Sequence, residues 1–253
     1  MRTGQFFALI SLVTILCSAS PAETEGLSQR VHVHYYGWYG NPETNGHWSH
    51  WDHAVTSKSG PPPGNHKPPE DIGSPFYPQL GLYSSQDPDT LKAHLEMIAK
   101  AGIGVVNFSW WGPGNADDRA LELLFAEAAK KGMKVNFHIE PYPGRSAESV
   151  KENLGYLIDK FKGSPALYRD ADRDHLPMFY VYDSYLIPTE EWGSILRSDS
   201  PNTIRGTEHD AIMIALYVNQ KDKRLLTEGG FDGVYTYFAT KGFTEGSTPE
   251  NWK

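Results

Sequence analysis

The chain of 253 residues has a single cysteine, Cys17, and it lies in the N-terminal apolar run. No disulfide can therefore staple the body of the fold, which has to hold by its core alone. Clusters of lysine and arginine are missing as well. With 23 basic against 31 acidic residues the formal net charge is −8, which excludes a protein that tracks nucleic-acid phosphates. The apolar run Phe6–Cys17 has twelve residues, short of the roughly 20 that carry a helix across a bilayer. No glycine-rich phosphate turn follows the first predicted strand, which weighs against an open dinucleotide-binding sheet.

What is present starts with a leader. Arg2 precedes that run, and Ser18, Ala19, Ser20 and Ala22 follow it, the layout of a secretory signal cut after Ser20 or Ala22. Residues 1–22 are expected to be a signal peptide, with retention of residues 6–17 as a membrane anchor the alternative. Residues 23–253 are expected to form one domain. At 39% hydrophobic and 13% aromatic, with 14 tyrosines and 7 tryptophans, that domain is globular and unusually rich in rings. The sequon Asn107-Phe108-Ser109 falls in a strand-like run and is expected to be buried and unused.

The rings concentrate in Val31–His53, VHVHYYGWYGNPETNGHWSHWDH. A strand over Val31–Tyr36 runs into a loop bearing Trp38, Tyr39, Trp48 and Trp51 among His47, His50 and His53. Large rings outside a core ask for a partner, so this stretch predicts a binding site at the end of the first strand. The three loop histidines, with His34 and His66 nearby, invite a metal reading. Zinc sites of catalytic type pair such ligands with a carboxylate on a regular element, so hydrogen bonding to backbone or ligand is the reading preferred, and no metal is expected. The connection over residues 37–87 carries Pro61-Pro62-Pro63 and Pro68-Pro69, which exclude regular elements there. Phe76, Tyr77 and Tyr83 predict an ordered loop lying over the site.

From Asp87 the pattern is regular. Asp87-Pro88 reads as a helix cap and first turn, with Leu91, Leu95 and Ile98 at helical spacing up to Gly102, followed by a buried strand over Ile103–Trp110. Helices are predicted over Asp117–Lys131, Ser146–Lys162, Thr189–Leu196 and Lys221–Glu228, and strands over Val135–Glu140, Met178–Asp183, Ala211–Tyr217 and Phe231–Tyr237. Such alternation is α/β and demands parallel strands with helices outside. Polar and aromatic residues gather where nearly every strand ends, the place where (β/α)8 TIM barrels build their sites. A barrel needs eight strands, however, and six are predicted before Lys253.

Six stretches, YYGWYGNPETNGHWSHWDH, PPEDIGSPFYPQLGLYSSQDP, GIGVVNFSWWGPG, FHIEPYPGR, LPMFYVYDSYL and GFDGVYTYFATKGFTEGS, together resemble the glycoprotein endo-α-1,2-mannosidases, a glycoside hydrolase family of the secretory pathway. The resemblance implies a (β/α)8 barrel and cleavage of internal α-1,2-mannosidic bonds that releases glucosylated mannose from N-glycans in the Golgi. It also implies retained configuration through an epoxide-like intermediate, with no metal or cofactor required. The family's two catalytic carboxylates lie three residues apart in an Asn-Glu-Trp-His-Glu type stretch, and no such stretch occurs here. The expected pair would lie beyond Lys253, so this chain is expected to hold six of eight barrel units and to be poorly stable alone. The alternatives are a non-catalytic mannoside-binding product or an incomplete fragment.

The expected substrate-binding set follows the strand ends. Glu140 ends the third strand in His-Ile-Glu-Pro-Tyr and is the best placed carboxylate for sugar hydroxyls, with Tyr142 just beyond it. Trp110 is favoured over Trp111 as a stacking ring because it is the one common to the family motif. Tyr36, Tyr39, Trp51, Tyr182, Asp183, Tyr185 and Tyr237 complete the set, tyrosine offering both a face and a hydroxyl. The expected partner is a mannose-containing oligosaccharide or N-glycan, and the expected state a monomer.

Overall fold

A computed structural model describes residues 26–55 and 64–251 of the chain. The expected signal peptide and anchor, residues 1–22, and Pro61-Pro62-Pro63 lie outside the described residues. Among the described residues no helix is long and apolar enough to cross a membrane.

Seven strands form one sheet: β1 (Ser28–Tyr36), β2 (Ile103–Trp110), β3 (Lys134–Ile139), β4 (Arg169–Asp170), β5 (Leu176–Val181), β6 (Ile212–Leu216) and β7 (Gly233–Tyr235). Six run parallel in the order β1-β2-β3-β5-β6-β7, while the two-residue β4 pairs antiparallel with β5. The main helices between them are α2 (Pro88–Lys100), α3 (Ala116–Lys130), α4 (Ala147–Phe161), α5 (Thr189–Leu196) and α6 (Arg224–Thr227), with a single turn, α1 (Pro42–Asn45), in the long loop. Local chemistry sets their starts. Asp87 accepts from the backbone of Asp89 and Thr90 ahead of Pro88, and Ser146 and Ser149 form a reciprocal capping box.

The two faces of the sheet differ in kind. Alternate residues Val106, Phe108 and Trp110, Val135, Phe137 and Ile139, and Phe179 and Val181 are all buried in one apolar core with the helices. Rings dominate its centre, where Phe125 of α3 stacks on Phe161 of α4 with centroids 3.8 Å apart. The intervening residues make the other face polar: His32, His34, Asn107, Ser109, Asn136, His138, Tyr180 and Tyr235.

That polar face is concave. A flat sheet would hold β1 and β7, five intervals apart, at about 24 Å from each other, yet Tyr36 from the end of β1 hydrogen-bonds Tyr237 just past β7. His34 also lies 6.1 Å from Tyr235 between ring centroids. The sheet is therefore six parallel strands of a (β/α) barrel, as the alternation predicted. Arg205 fastens the opposite end. It donates to the carbonyls of Leu196, Ala211 and Gly230 and to Asp210 and Asp232, tying α5 to the starts of β6 and β7.

Candidate functional site

The strand ends converge on Glu140, which immediately follows β3 and is 5% exposed. Period-two alternation along Asn136, His138 and Glu140 puts all three on the concave face. Register supplies the partners: Ser109 lies opposite His138 across the β2–β3 pair. The Ser109 hydroxyl donates to Glu140 Oε1 at 2.7 Å, and His138 Nδ1 lies 2.8 Å from the same oxygen. His138 Nε2 is in turn 2.5 Å from the Tyr235 hydroxyl.

Tyrosines ring this carboxylate. Tyr36 and Tyr237 are hydrogen-bonded to each other, and the Tyr182 and Tyr237 rings meet edge to face at 5.1 Å. Burial is the main cause that raises the phenols of Tyr36, Tyr182 and Tyr235, with the Glu140 charge adding to it. All three are therefore hydroxyl donors at neutral pH. His34, on the layer next to His138, is pushed down to about 4 by burial and then by that neighbouring ring. Arg145, in the loop after β3, donates to the carbonyls of Tyr182 at 2.5 Å and Asp183 at 3.0 Å. It holds the end of β5 where Asp183 turns through a left-handed φ of 49°, a conformation aspartate tolerates better than most residues.

The structure brings together part of the sequence-predicted set. Tyr36, Glu140, Tyr182 and Tyr237 share one concave site, and Asp183 with Tyr185 flanks it. Four others stand elsewhere. Trp110 is fully buried, with its indole N–H donated to Asp118 at 3.0 Å; strand alternation turns it outward beneath Tyr142 and Tyr156, so it cannot stack on a sugar. Trp51 is 2% exposed and donates to the Tyr83 carbonyl, serving as core of the long loop, with Tyr39 packed on it at 4.3 Å. Tyr142 spends its hydroxyl on Ser149 and Asn153 of α4.

Trp111 is the ring at the strand end. It is half-buried, 6.3 Å from Trp38, and the indole nitrogens of both lack a partner. Trp38 stacks between Tyr36 and His50 at 4.6 and 4.4 Å. Trp38, His50 and Trp111, with Asn115 and Asp117, line a cavity of about 450 Å³. Alternation counted back from Glu140 marks His138, and strand pairing marks Ser109 and Tyr235, but pairing is invisible until the fold is known. For Arg145 no sequence signal stood out beyond its place in the FHIEPYPGR stretch.

The loop histidines are engaged locally. His53 bonds the carbonyls of Ala54 and Gly73, and His66 pairs with Asp71 at 2.8 Å. Among the described residues the ligand atoms that gather within 4.8 Å belong instead to Asp159, Glu208 and His209 on the outer surface, where Asp159 is already paired with Lys162 at 2.7 Å.

Parallel strands with helices outside, and a carboxylate among rings where those strands end, define a (β/α)-barrel protein with the site placement of barrel enzymes. The chain belongs to glycosyl hydrolase family 99, whose model matches residues 26–253. It is 43% identical over 244 residues to a glycoprotein endo-alpha-1,2-mannosidase of Rattus norvegicus, covering 91% of this chain and 53% of that protein. To a glycoprotein endo-alpha-1,2-mannosidase-like protein of Homo sapiens it is 41% identical over 248 residues, covering 92% and 54% respectively. The solved GH99 endo-alpha-mannosidase of Bacteroides thetaiotaomicron superposes with a TM-score of 0.83 at 40% identity, over 89% of this chain and 66% of that one. The chain thus spans about half the length of the curated relatives it matches.

Proposed function

We propose that this chain carries the mannoside-binding wall of an endo-α-1,2-mannosidase-type glycoside hydrolase that trims glucosylated mannose from N-glycans with retention of configuration. The observation that carries the reading is the Glu140 carboxylate. Among the described residues the two donors, Ser109 and His138, both bond Oε1, so Oε2 is left to accept from a sugar hydroxyl, and Tyr36, Tyr182 and Tyr237 offer hydroxyls and ring faces around it. Trp111 and Trp38 extend an aromatic wall outward from Tyr36, suited to the axial face of a mannose.

Glycoside cleavage also needs an acid and a second carboxylate or base. No Asn-Glu-Trp-His-Glu stretch occurs in these 253 residues, and what the residues described here support is binding. Membership in the family supports the enzyme reading. A mannoside-binding product without hydrolysis is the second reading, supported by the binding groups gathered around Glu140. The apolar run Phe6–Cys17 supports entry into the secretory pathway, and the resemblance to the mannosidases points to the Golgi lumen or membrane within it, with secretion the alternative.

Binding and cleavage of a mannosyl-α-1,2-mannoside by the chain, measured separately, distinguish the two readings. Glu140→Gln keeps the shape and removes the charge. It is expected to weaken binding about ten-fold or more, the scale of a lost charge-assisted hydrogen bond. Unchanged affinity in Glu140→Gln would remove the basis of the proposal.

A further inference from the structure

Glu140 lies at the edge of the concave face, and a glutamate there has three side-chain torsions to fix before either oxygen can serve a ligand reliably. We propose that His138 is the positioning residue that fixes it, acting as the neutral ring with its proton on Nδ1. The proposal rests on the reading of Glu140 as the sugar-contacting carboxylate.

Three observations support it. His138 is 1% exposed and sits among rings, at a steep angle to His34 at 4.8 Å and near-parallel to Tyr237 at 6.1 Å, so its neighbours restrict its orientation. Its two nitrogens have different partners, Glu140 Oε1 at 2.8 Å and the Tyr235 hydroxyl at 2.5 Å. A carboxylate only accepts, which assigns the proton to Nδ1. Tyr235 is compatible with that assignment, because burial, reinforced by the Glu140 charge, keeps its phenol protonated and able to donate to a bare Nε2. In the proposed tautomer the donors run one way: Tyr235 to His138, His138 to Glu140.

The consequence falls on the carboxylate. Oε1 receives both the imidazole N–H and the Ser109 hydroxyl, two bonds in a buried setting that select one rotamer. Oε2 has no protein donor among the described residues and is the oxygen left for a ligand. Neighbouring His34 does not supply charge to this arrangement, since burial and His138 itself push it down to about 4.

The test has two readouts. In the 15N-labelled wild-type chain, long-range proton–nitrogen correlation at neutral pH is expected to show His138 protonated at Nδ1 and bare at Nε2. The opposite tautomer, or a doubly protonated ring, overturns the proposal whatever the ligand does. Calorimetric titration with methyl mannosyl-α-1,2-mannoside supplies the second. His138→Leu is expected to bind about ten-fold more weakly, and His138→Asn, whose amide nitrogen falls where Nδ1 stood, to return within about three-fold of wild type. Equal loss in both variants would mean that His138 merely fills space, and no loss in His138→Leu beside a weakened Glu140→Gln would mean that Glu140 needs no such partner. If Glu140→Gln itself binds like wild type, the sugar reading fails on its own, and the tautomer still decides whether the imidazole holds the carboxylate.

Discussion

At Trp110 the indole N–H already has its acceptor, Asp118 at 3.0 Å, and no part of the ring is open to solvent. One peptide unit later, Trp111 keeps its indole nitrogen unpaired beside a cavity and uses its backbone N–H to bond Asp117 at 2.7 Å. The family motif favoured Trp110 as the stacking ring, and the structure reverses that choice, because adjacent strand residues face opposite ways and a shared motif does not say which of the two faces the site. The register with β3 settles it, because Ser109 shares the concave face with Glu140 and Trp110 therefore shares the outer one with Ile139. Trp110→Ala is expected to cost about 3–5 kcal/mol, from the cavity left among α3 and α4 and from the loss of a donor to buried Asp118. Trp111→Ala is expected to change stability by less than about 1 kcal/mol while weakening binding of the mannoside probe. Urea unfolding and probe titration on both variants check the pair, and a reversed pattern would return Trp110 to the site.

Elements were more legible than their ends. The helical periodicities after Asp87, over Asp117–Lys131 and from Ser146 and the apolar runs between them mark α2, α3, α4 and strands β2 and β3 to within a residue or two, since caps and core positions are written locally. The stretch predicted as one helix over Lys221–Glu228 is instead a 3-10 turn, Gln220–Lys223, leading into α6, because Asn219 and Asp222 cap each other at its start. β7 is shorter than predicted, having only three residues in register with β6. What ties these short last elements down is not local at all: Arg205 gathers five acceptors from the end of α5 and the turns that lead into β6 and β7. Arg205→Met is expected to destabilise by about 3 kcal/mol, the low end for removing one partner of a mostly buried ion pair. Hydrogen exchange should show protection lost first around Ile212–Leu216 and Gly233–Tyr235. Uniform loss across β1–β3 as well would mean that the network serves the whole sheet and not its last two strands.

Over the whole molecule the polar concave face has a cost that depends on pH. His34 is pushed down to about 4, and His32 is lowered too, in both cases chiefly by burial among rings. The folded state therefore resists protonation that the unfolded chain accepts at its ordinary value near 6.5. Between about pH 6.5 and 4 the unfolded state binds more protons, so stability rises with pH across that window and is lost as pH falls through it. Asp117 works in the opposite sense, its carboxyl raised by burial, and offsets part of this slope. The expectation is a urea midpoint that drops steadily from pH 7 to pH 5. His34→Gln, which can still bond Asn107 without titrating, should have a shallower slope even if its midpoint at pH 7 is lower. A midpoint independent of pH in that range, or a slope that His34→Gln leaves unchanged, would mean that the interior layer of histidines and tyrosines is open enough to water to take protons freely. The same result would undercut the picture of a closed, preorganised wall behind Glu140, since the burial that lowers His34 also surrounds His138.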